Sequence, residues 1–400
     1  MTVLDELEPL LESKREILKE WFEHKRAEVP IPIYGSVDIR DSGWKACVVD
    51  ANHFPAGFNN VAEEDEPLLV QLLSNHINRR HECCTWVHLY PEAHTRNPAY
   101  VENIMTLKRL IEKGGFRCTV GSPELEGHGS LDGLTGPLQL CDVELIDNRI
   151  HNAGEEPCLI LLNNDLAGEI VPGLGSQQVS PPIEMGWQRR RKSEHYAALD
   201  GYIEEVCALI GIDPWHLTTD WFVSEDKCLE KENCRIMLAA EVDDFISRIR
   251  QRYEAHGIDR EPVLFIKNDR GTYGLGILTI KSGEELLNLS NRKMKRLAYS
   301  KGGSNLENFL IQEGVPTQFS NDGPLEPVVY LVDGEAASWF YRVNSKKSDM
   351  DNLNSPSAHF HRREEMPKHL TRHADGWHAL VAELSMLAMG REMQLQNEKA

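Results

Sequence analysis

Lys267 and the three glycines that follow it carry the clearest chemical signal in the chain. Val263 to Ile266 is a continuous apolar run suited to a buried strand, and Lys267 stands where that strand leaves the core. Gly271, Gly274 and Gly276 lack a Cβ, so their backbone amides can close over an anionic group while Lys267 supplies charge. Asp269 and Tyr273 lie in the same loop. Neither the P-loop pattern nor GxGxxG is present, and a purely structural turn is the alternative reading. A second apolar strand, Phe309 to Val315, brings Gln312, Glu313 and Val315 to a strand end, where backbone groups suit a nucleobase edge and a carboxylate suits ribose hydroxyls. Arg342 has the fork that matches phosphate geometry, with a salt bridge on its hairpin as the alternative. Asn352 and Asn354 follow in DNLNSP, where their residue types suit turn formers in a loop with Ser355-Pro356.

Other polar residues collect just beyond apolar strands, where open α/β sheets place their ligands. Ala46 to Val49 reads as a strand leading to Asp50, Asn52, Asn59 and Asn60, with Asp38, Arg40 and Lys45 shortly before it. Thr85 to Leu89 leads to Glu92, His94 and Arg96, and Cys158 to Leu162 leads to Asn163, Asn164 and Asp165. Arg40 and Arg96 can clamp a carboxylate. Asp38 or Asp50 can meet an ammonium, and the asparagines can complete such a pocket. His94 reads equally as a loop histidine bonded to backbone. Of Arg189, Arg190 and Arg191, one is expected to face phosphate.

The elements that must hold these residues follow from periodicity. Leu4, Leu7, Leu11, Leu18, Trp21 and Phe22 form a helical stripe that Pro30 and Pro32 close. Asn97 as N-cap, Pro98 and Gly114 bound a helix between the strands Thr85 to Leu89 and Phe116 to Val120, a βαβ unit. A short strand from Val143 ends at an Asp147-Asn148 turn. A helix opens near GWQRRRKSEHY and runs to about Ile210, and another covers VDDFISRIRQRYEAHG. Ser282 and Glu285 stand in capping-box spacing before a helix expected to reach about Ala298. Val328 to Val332, an Asp333-Gly334 turn and Ala336 to Val343 make a hairpin with Arg342 on the face of Ser338 and Phe340. A helix follows from Trp377 to about Met393, after a mixed basic and acidic run read as a solvated face or a ligand contact.

Composition narrows the classes. With 43 basic against 63 acidic side chains the formal charge is -20, so nucleic acid is not an expected partner. No apolar run approaches the ~20 residues of a membrane helix, and Asp5, Glu6 and Glu8 interrupt any signal peptide, so a cytoplasmic protein is expected. The nine cysteines show no CxxC pair, and reduced thiols are expected.

The order strand-Lys, glycine-rich hairpin, helix, strand with QEGV, hairpin with Arg and Asn pair resembles the ATP-grasp superfamily of carboxylate-amine ligases over roughly Lys192 to Asn354. Stretches such as SVDIRDSGWK, VDANHFPAGFNN, PEAHTRN, PPIEMGWQRRRKSEHY, FIKNDRGTYGLGI and YRVNSKKSDMDNLNSP look like the proteobacterial glutamate-cysteine ligase family, from about Pro30 to His359. The resemblance implies an α/β ATP-grasp fold with an N-terminal α/β substrate domain, like those that precede ATP-grasp cores, over 1–165, a linker and helical lid or first ATP-grasp subdomain over 166–260 and the ATP-grasp nucleotide-binding subdomain over 261–400. It implies ATP and Mg2+, with L-glutamate and L-cysteine as substrates. Lys192, Lys267, Asp269, Gly271, Tyr273, Gly274, Gly276, Gln312, Glu313 and Val315 would bind ATP, with Arg342 and Lys267 catalytic and Asn352 and Asn354 near the metal. Asp38, Arg40, Asp50, Asn52, Asn59, Asn60, His94, Arg96 and Asn164 would bind substrate. The same mechanism with another acceptor amine, and a noncatalytic ATP-binding regulator, are the alternatives.

Overall fold

The computed structural model describes residues 2–167, 172–174, 177–229, 231–270, 277–290, 292–293 and 307–399. Helices α1 (Val3–Ser13) and α2 (Arg15–Glu28) bury Leu4, Leu11, Leu18 and Phe22, as the stripe predicts. A hairpin of β1 (Tyr34–Asp41) and β2 (Ala46–Asn52) precedes α3 (Glu66–Arg80). Then come β3 (Trp86–Pro91), α4 (Pro98–Lys113) and β4 (Arg117–Val120), with Asn97 accepting from Tyr100 N at 3.3 Å and Gly114 at the C-cap. Two small hairpins follow, β5 (Ser130–Asp132) with β6 (Pro137–Gln139) and β7 (Glu144–Ile146) with β8 (Arg149–His151). With β9 (Leu159–Asn163) and β10 (Val179–Ser180), strands β3 and β4 complete a four-stranded parallel sheet, order β10-β9-β3-β4.

Helix α5 (Lys192–Ile210) ends on Gly211 at φ +88°, the left-handed conformation glycine adopts without penalty. Beyond it lie β11 (Trp221–Lys227), α6 (Glu232–Ala255), β12 (Leu264–Asn268), β13 (Leu278–Ile280), α7 (Gly283–Leu287) and β14 (Glu307–Glu313). These strands form an antiparallel sheet, β11-β14-β12-β13, covered by α6. Helix α7 is five residues long and does not run on to Ala298 as one described element; residues 294–306 lie outside the described set. Its N-terminus is not capped by Ser282. Instead Asp243 on α6 accepts from Gly283 N at 2.7 Å.

The remaining strands are β15 (Phe319–Ser320), β16 (Gly323–Val332), β17 (Glu335–Val343) and β18 (His359–Arg362), before α8 (Ala379–Lys399). They join the N-terminal hairpin in one sheet, β18-β17-β16-β1-β2, so residues from the 1–165 and 261–400 segments share a sheet. Alternation divides its faces. Val37, Ile39, Val329 and Leu331 meet α1, α2, α5 and α8 in one core, while Val328, Tyr330 and Phe340 meet α3 and α4 in another. Helix α8 lies so close to β1 that a Cβ on Gly35 would stand 2.8 Å from Met389. Among the described residues, no helix is long and apolar enough to cross a membrane.

Three expectations need correction. Cys84 and Cys158 form a disulfide, with Cα atoms 5.5 Å apart, where all thiols were expected reduced. The two sit just before neighbouring parallel strands, a proximity that spacing along the chain does not reveal. Asp333, expected at an exposed turn, is half-buried, with its side chain bonded to His76 at 2.8 Å. The run after residue 360 is largely solvated as read, with Glu364, Glu365, Lys368, His369 and Arg372 exposed, but its last residue His373 is buried away from the cavity described below, as is His378 in the segment that follows. Asp41 Oδ2 lies 2.7 Å from His373 Nδ1 and 2.9 Å from His378 Nε2, and Asp5 Oδ1 lies 3.0 Å from His373 Nε2. Asp41, His373 and His378 hold three potential ligand atoms within 4.8 Å of one another, but all three are engaged in direct hydrogen bonds.

This clasp ties α1 to the segment entering α8. Burial lowers the His373 pKa, but the facing carboxylates of Asp41 and Asp5 outweigh it and the net shift is upward. Burial likewise opposes ionisation of Asp41, and the two imidazoles overcome it, holding its carboxyl well below the ordinary range. A raised histidine pKa contributes stability below the unfolded value of ~6.5 and loses it as pH climbs through the folded value. The melting-temperature gap between the wild type and His373→Gln is therefore expected to be wider at pH 6 than at pH 8.5. A gap independent of pH between these values would refute the charged clasp.

Candidate active site

A cavity of about 430 Å³ opens where the three large sheets converge, a size typical of small-molecule sites. Its floor is the polar face of the mixed-origin sheet. Period-2 alternation turns Ser36, Asp38 and Arg40 of β1, Glu326 of β16 and Phe340 and Arg342 of β17 toward it. Glu326 and Arg342 are directly opposed across the β16–β17 pair, and Asp38 opposes Asp50 across β1–β2.

These charges form a chain of alternating sign. Arg40 Nε donates to Glu326 Oε2 at 2.7 Å, and its two remaining nitrogens donate at 2.6 Å to the carbonyls of Asp349 and Asp351. Arg342 Nη1 donates to the other oxygen of Glu326 and, at 2.7 Å, to Asp38 Oδ2. Arg342 Nε is buried without a protein partner. Two carboxylates thus share one guanidinium. Burial pushes the Asp38 pKa up to about 6, with Arg342 opposing and Glu326 adding to the rise.

Lys267 and Lys192 supply the opposite wall. Along β12, Leu264 and Ile266 face the α6 core, while Phe265 and Lys267 face the cavity. Lys267 Nζ donates to Val49 O at 2.9 Å and Gln312 Oε1 at 2.7 Å, and burial lowers its pKa to about 8. Lys192, at the first turn of α5, lies 3.2 Å from Asp50 Oδ1 and 3.9 Å from the ring centre of Trp187. Burial opposes ionisation of Asp50, but Lys192, Lys267 and Arg190 together hold its pKa below the ordinary value.

Asn52, Asn59, Asn60, His94, Asn352 and Asn354 also line the cavity, so the structure gathers most of the sequence-predicted residues. Asn164 and Arg96 are not among its walls. Asn164 is turned into the local chain, accepting from Leu166 N at 3.0 Å, and Arg96 is exposed. Gln312 and Glu313 lie outside the lining because β14 is an inner strand, with its backbone paired to β11 and β12, and Val315, buried just beyond that strand, lies outside it too. Gln312 instead orients Lys267, while Glu313 is bound to Lys45. Asp269 closes the N-terminus of α5, accepting from Ser193 N at 2.8 Å and Ser193 Oγ at 2.9 Å. Gly271, Tyr273, Gly274 and Gly276 lie outside the described residues.

None of the three consecutive arginines lines the cavity: Arg190 is buried against Glu392, Arg189 lies 3.7 Å from Glu184, and Arg191 lies 3.6 Å from Asp269. Glu326, Trp187 and Tyr330 were missed by sequence reasoning. For Glu326 a partial signal existed, a lone carboxylate in an apolar strand; counting back from Asp333-Gly334 sets it opposite Tyr341, and the register shift between Tyr330 and Leu331 moves it by one residue to oppose Arg342.

Residues 8–393 match the family profile described as glutamate-cysteine ligase. Among solved structures, a candidate gamma-glutamylcysteine synthetase from Methylobacillus flagellatus KT superposes with a TM-score of 0.90 at 31% identity, over 98% of this chain and 96% of that one. D-alanyl-alanine synthetase A from Vibrio cholerae O1 biovar eltor gives a TM-score of 0.30 at 11% identity, covering 76% of this chain and 81% of that one, which is too slight to bear on the fold. No curated protein matches by sequence.

The cavity walls are fastened to each other by one buried ion pair. Lys45, in the turn after β1, donates to Glu313 Oε2 at 2.7 Å, and both side chains are at most 1% exposed. Lys45 Nζ also sits 4.3 Å from the Trp215 ring centre. Breaking such a pair strands a buried charge and costs about 3–5 kcal/mol. Lys45→Met is expected to lower unfolding free energy in urea by that order, and adding Glu313→Gln should recover most of it. A loss below ~1 kcal/mol for Lys45→Met would show that Glu313 does not depend on Lys45.

Proposed function

We propose how this chain works on one premise: it belongs to the glutamate-cysteine ligase family and is a glutamate-cysteine ligase. In the proposed reaction a γ-carboxylate oxygen of L-glutamate attacks the γ-phosphorus of ATP, releasing ADP and leaving γ-glutamyl phosphate. The amine of L-cysteine then attacks the acyl carbon, phosphate departs, and the amine proton passes to a base or to water. The product, γ-glutamylcysteine, would serve the first step of glutathione synthesis. Activation is required because carboxylate oxygen is a poor leaving group, so the protein mainly has to position ligands and stabilise moving charge.

The observation that carries this reading is the alternation of charge around a single cavity. Asp38, Arg40, Glu326 and Arg342 offer both signs to an amino acid, which presents an ammonium and carboxylates. Lys192, Lys267 and Arg342 offer three cations to a polyphosphate. A polyanion arriving beside Lys267 would raise its lowered pKa and fix the charged form. The unpartnered Arg342 Nε leaves a donor for a phosphoryl oxygen. Mg2+ fits the donor set, because Asp38 and Glu326 line the cavity with carboxylate oxygens and Asn352 and Asn354 add hard oxygen atoms. When bound it would neutralise phosphate charge. We infer further that the sheet β11-β14-β12-β13 forms the nucleotide wall of an ATP-grasp arrangement, with the ends of β3 and β9 on the amino-acid side.

ADP release with ATP and Mg2+ is the test, in four mixtures: no amino acid, glutamate alone, cysteine alone, and both. Release requiring both, with γ-glutamylcysteine found by mass spectrometry, is expected; release with glutamate and another amine would move the acceptor. Nucleotide binding without turnover in any mixture would favour a regulator. Arg342→Ala should lower kcat by about two to three orders of magnitude while ATP still binds. Arg342→Lys, which keeps charge but not the fork, should fall between. Wild-type kcat in Arg342→Ala would remove that residue from the chemistry.

A further inference from the structure

Helix α8 reaches the cavity without lining it. Glu392, near its C-terminal end, is 1% exposed and grips Arg190 with both oxygens, Nε to Oε2 at 2.6 Å and Nη2 to Oε1 at 3.0 Å. The third nitrogen of Arg190, Nη1, donates to the carbonyl of Ala51. Ala51 stands between Asp50 and Asn52, and both of these face the cavity. The Arg190 guanidinium also lies 4.8 Å from the ring centre of Trp187, whose ring faces Lys192 at 3.9 Å, and both of those residues line the cavity. His195 Nδ1 bonds the same Glu392 carboxylate, and its Nε2 lies 3.0 Å from Ser385 Oγ, one helical stretch earlier on α8. His53, between the cavity residues Asn52 and Phe54, points Nε2 at Glu392 from 3.9 Å.

We infer that Glu392 is a positioning residue for the reaction, acting through Arg190. Its carboxylate fixes the guanidinium plane; the guanidinium fixes the Ala51 carbonyl and the Trp187 ring; these set where Asp50, Asn52 and Lys192 stand. The inference rests on reading the cavity as the ligase site. Buried ion pairs often contribute no more stability than apolar residues of the same volume, so a pair of this kind is better explained by the geometry it imposes. A misplacement of about 1 Å in a positioning group is enough to cost substantial rate or affinity.

The test uses the full chain carrying Glu392→Gln, which keeps shape but removes the charge that sets the fork. Expected is a rise in KM for an amino-acid substrate of about fivefold or more, with kcat within about twofold and a melting temperature within a few degrees. Should that variant fail to fold, Arg190→Lys replaces it: the charge pair remains, but one ammonium cannot hold both carboxylate oxygens and Ala51 in a plane. Wild-type KM values for glutamate, cysteine and ATP in the folded variant, even with a lowered melting temperature, would overturn the inference and leave Glu392 a structural residue. If the wild type itself turns over none of these substrates, the ligase reading of the cavity fails instead. The positioning role is then read from Trp187 emission, assigned by difference against Trp187→Phe, during titration with glutamate and with ATP. A changed response in Glu392→Gln supports it, and an unchanged one overturns it.

Discussion

Charge taken out of water must be matched within the protein, and that requirement organises this molecule. Binding a zwitterion and a polyphosphate in one cavity needs both signs there, yet a group of unpaired buried ions would not be tolerated. The solution is a ladder of alternating charge, Arg40, Glu326, Arg342 and Asp38, laid across three neighbouring strands. Strand spacing provides the distances, and pleating sends the intervening Val37, Ile39, Val329 and Leu331 to the opposite face, where they form the main core. A single sheet is thereby polar enough to bind ligands on one side and apolar enough to hold the fold together on the other.

The same rule recurs wherever one element is fastened to another. Lys45 and Glu313 join the β1 turn to the sheet of Lys267. Asp269 joins the end of β12 to the first turn of α5, tying the strand that carries Lys267 to the helix that begins with Lys192. Asp41 with two histidines, and Glu392 with Arg190 and His195, fasten the C-terminal segment from behind. In each case a polar contact stands where precise relative placement matters, while helices that only cover a sheet do so with leucine, isoleucine and methionine.

Local signals in the sequence were read well where the physics is local. Asn97-Pro98 and Gly114 bracket α4 because capping and the proline ring act within a turn, and Asp333-Gly334 marks its hairpin because only residues tolerant of positive φ suit those positions. His94, just past the end of β3, faces the cavity because open sheets deliver their loops there, whereas Asp50 and Asn52, expected past a strand end, lie within β2 and face the same cavity through its pleat. Strand β1 was not foreseen, since its polar Ser36, Asp38 and Arg40 hide the strand until their partners on β16 and β17 are known. Glu313 looked like a ligand residue at a strand end and is consumed by Lys45, a partner 268 residues away. Asp269 likewise looked like part of an anion loop and caps a helix begun 76 residues earlier. Such pairings depend on tertiary proximity, which periodicity does not encode.

The pairing of β1 with β16 also sets a schedule for the chain. Asp38 and Arg342 meet across 304 residues of sequence, and the floor of the cavity is the seam between the first strand and the last hairpin. Contacts of such long range close large loops before any reward returns, so they form late and slowly. During synthesis the parallel sheet β10-β9-β3-β4 is complete in the emerging chain well before its neighbour sheet can be, leaving Val328's future partners among α3 and α4 uncovered. The ligand-binding surface therefore requires that β16 and β17 have been synthesised, and a chain that stops short of β17 leaves one face of its core open to association with other chains.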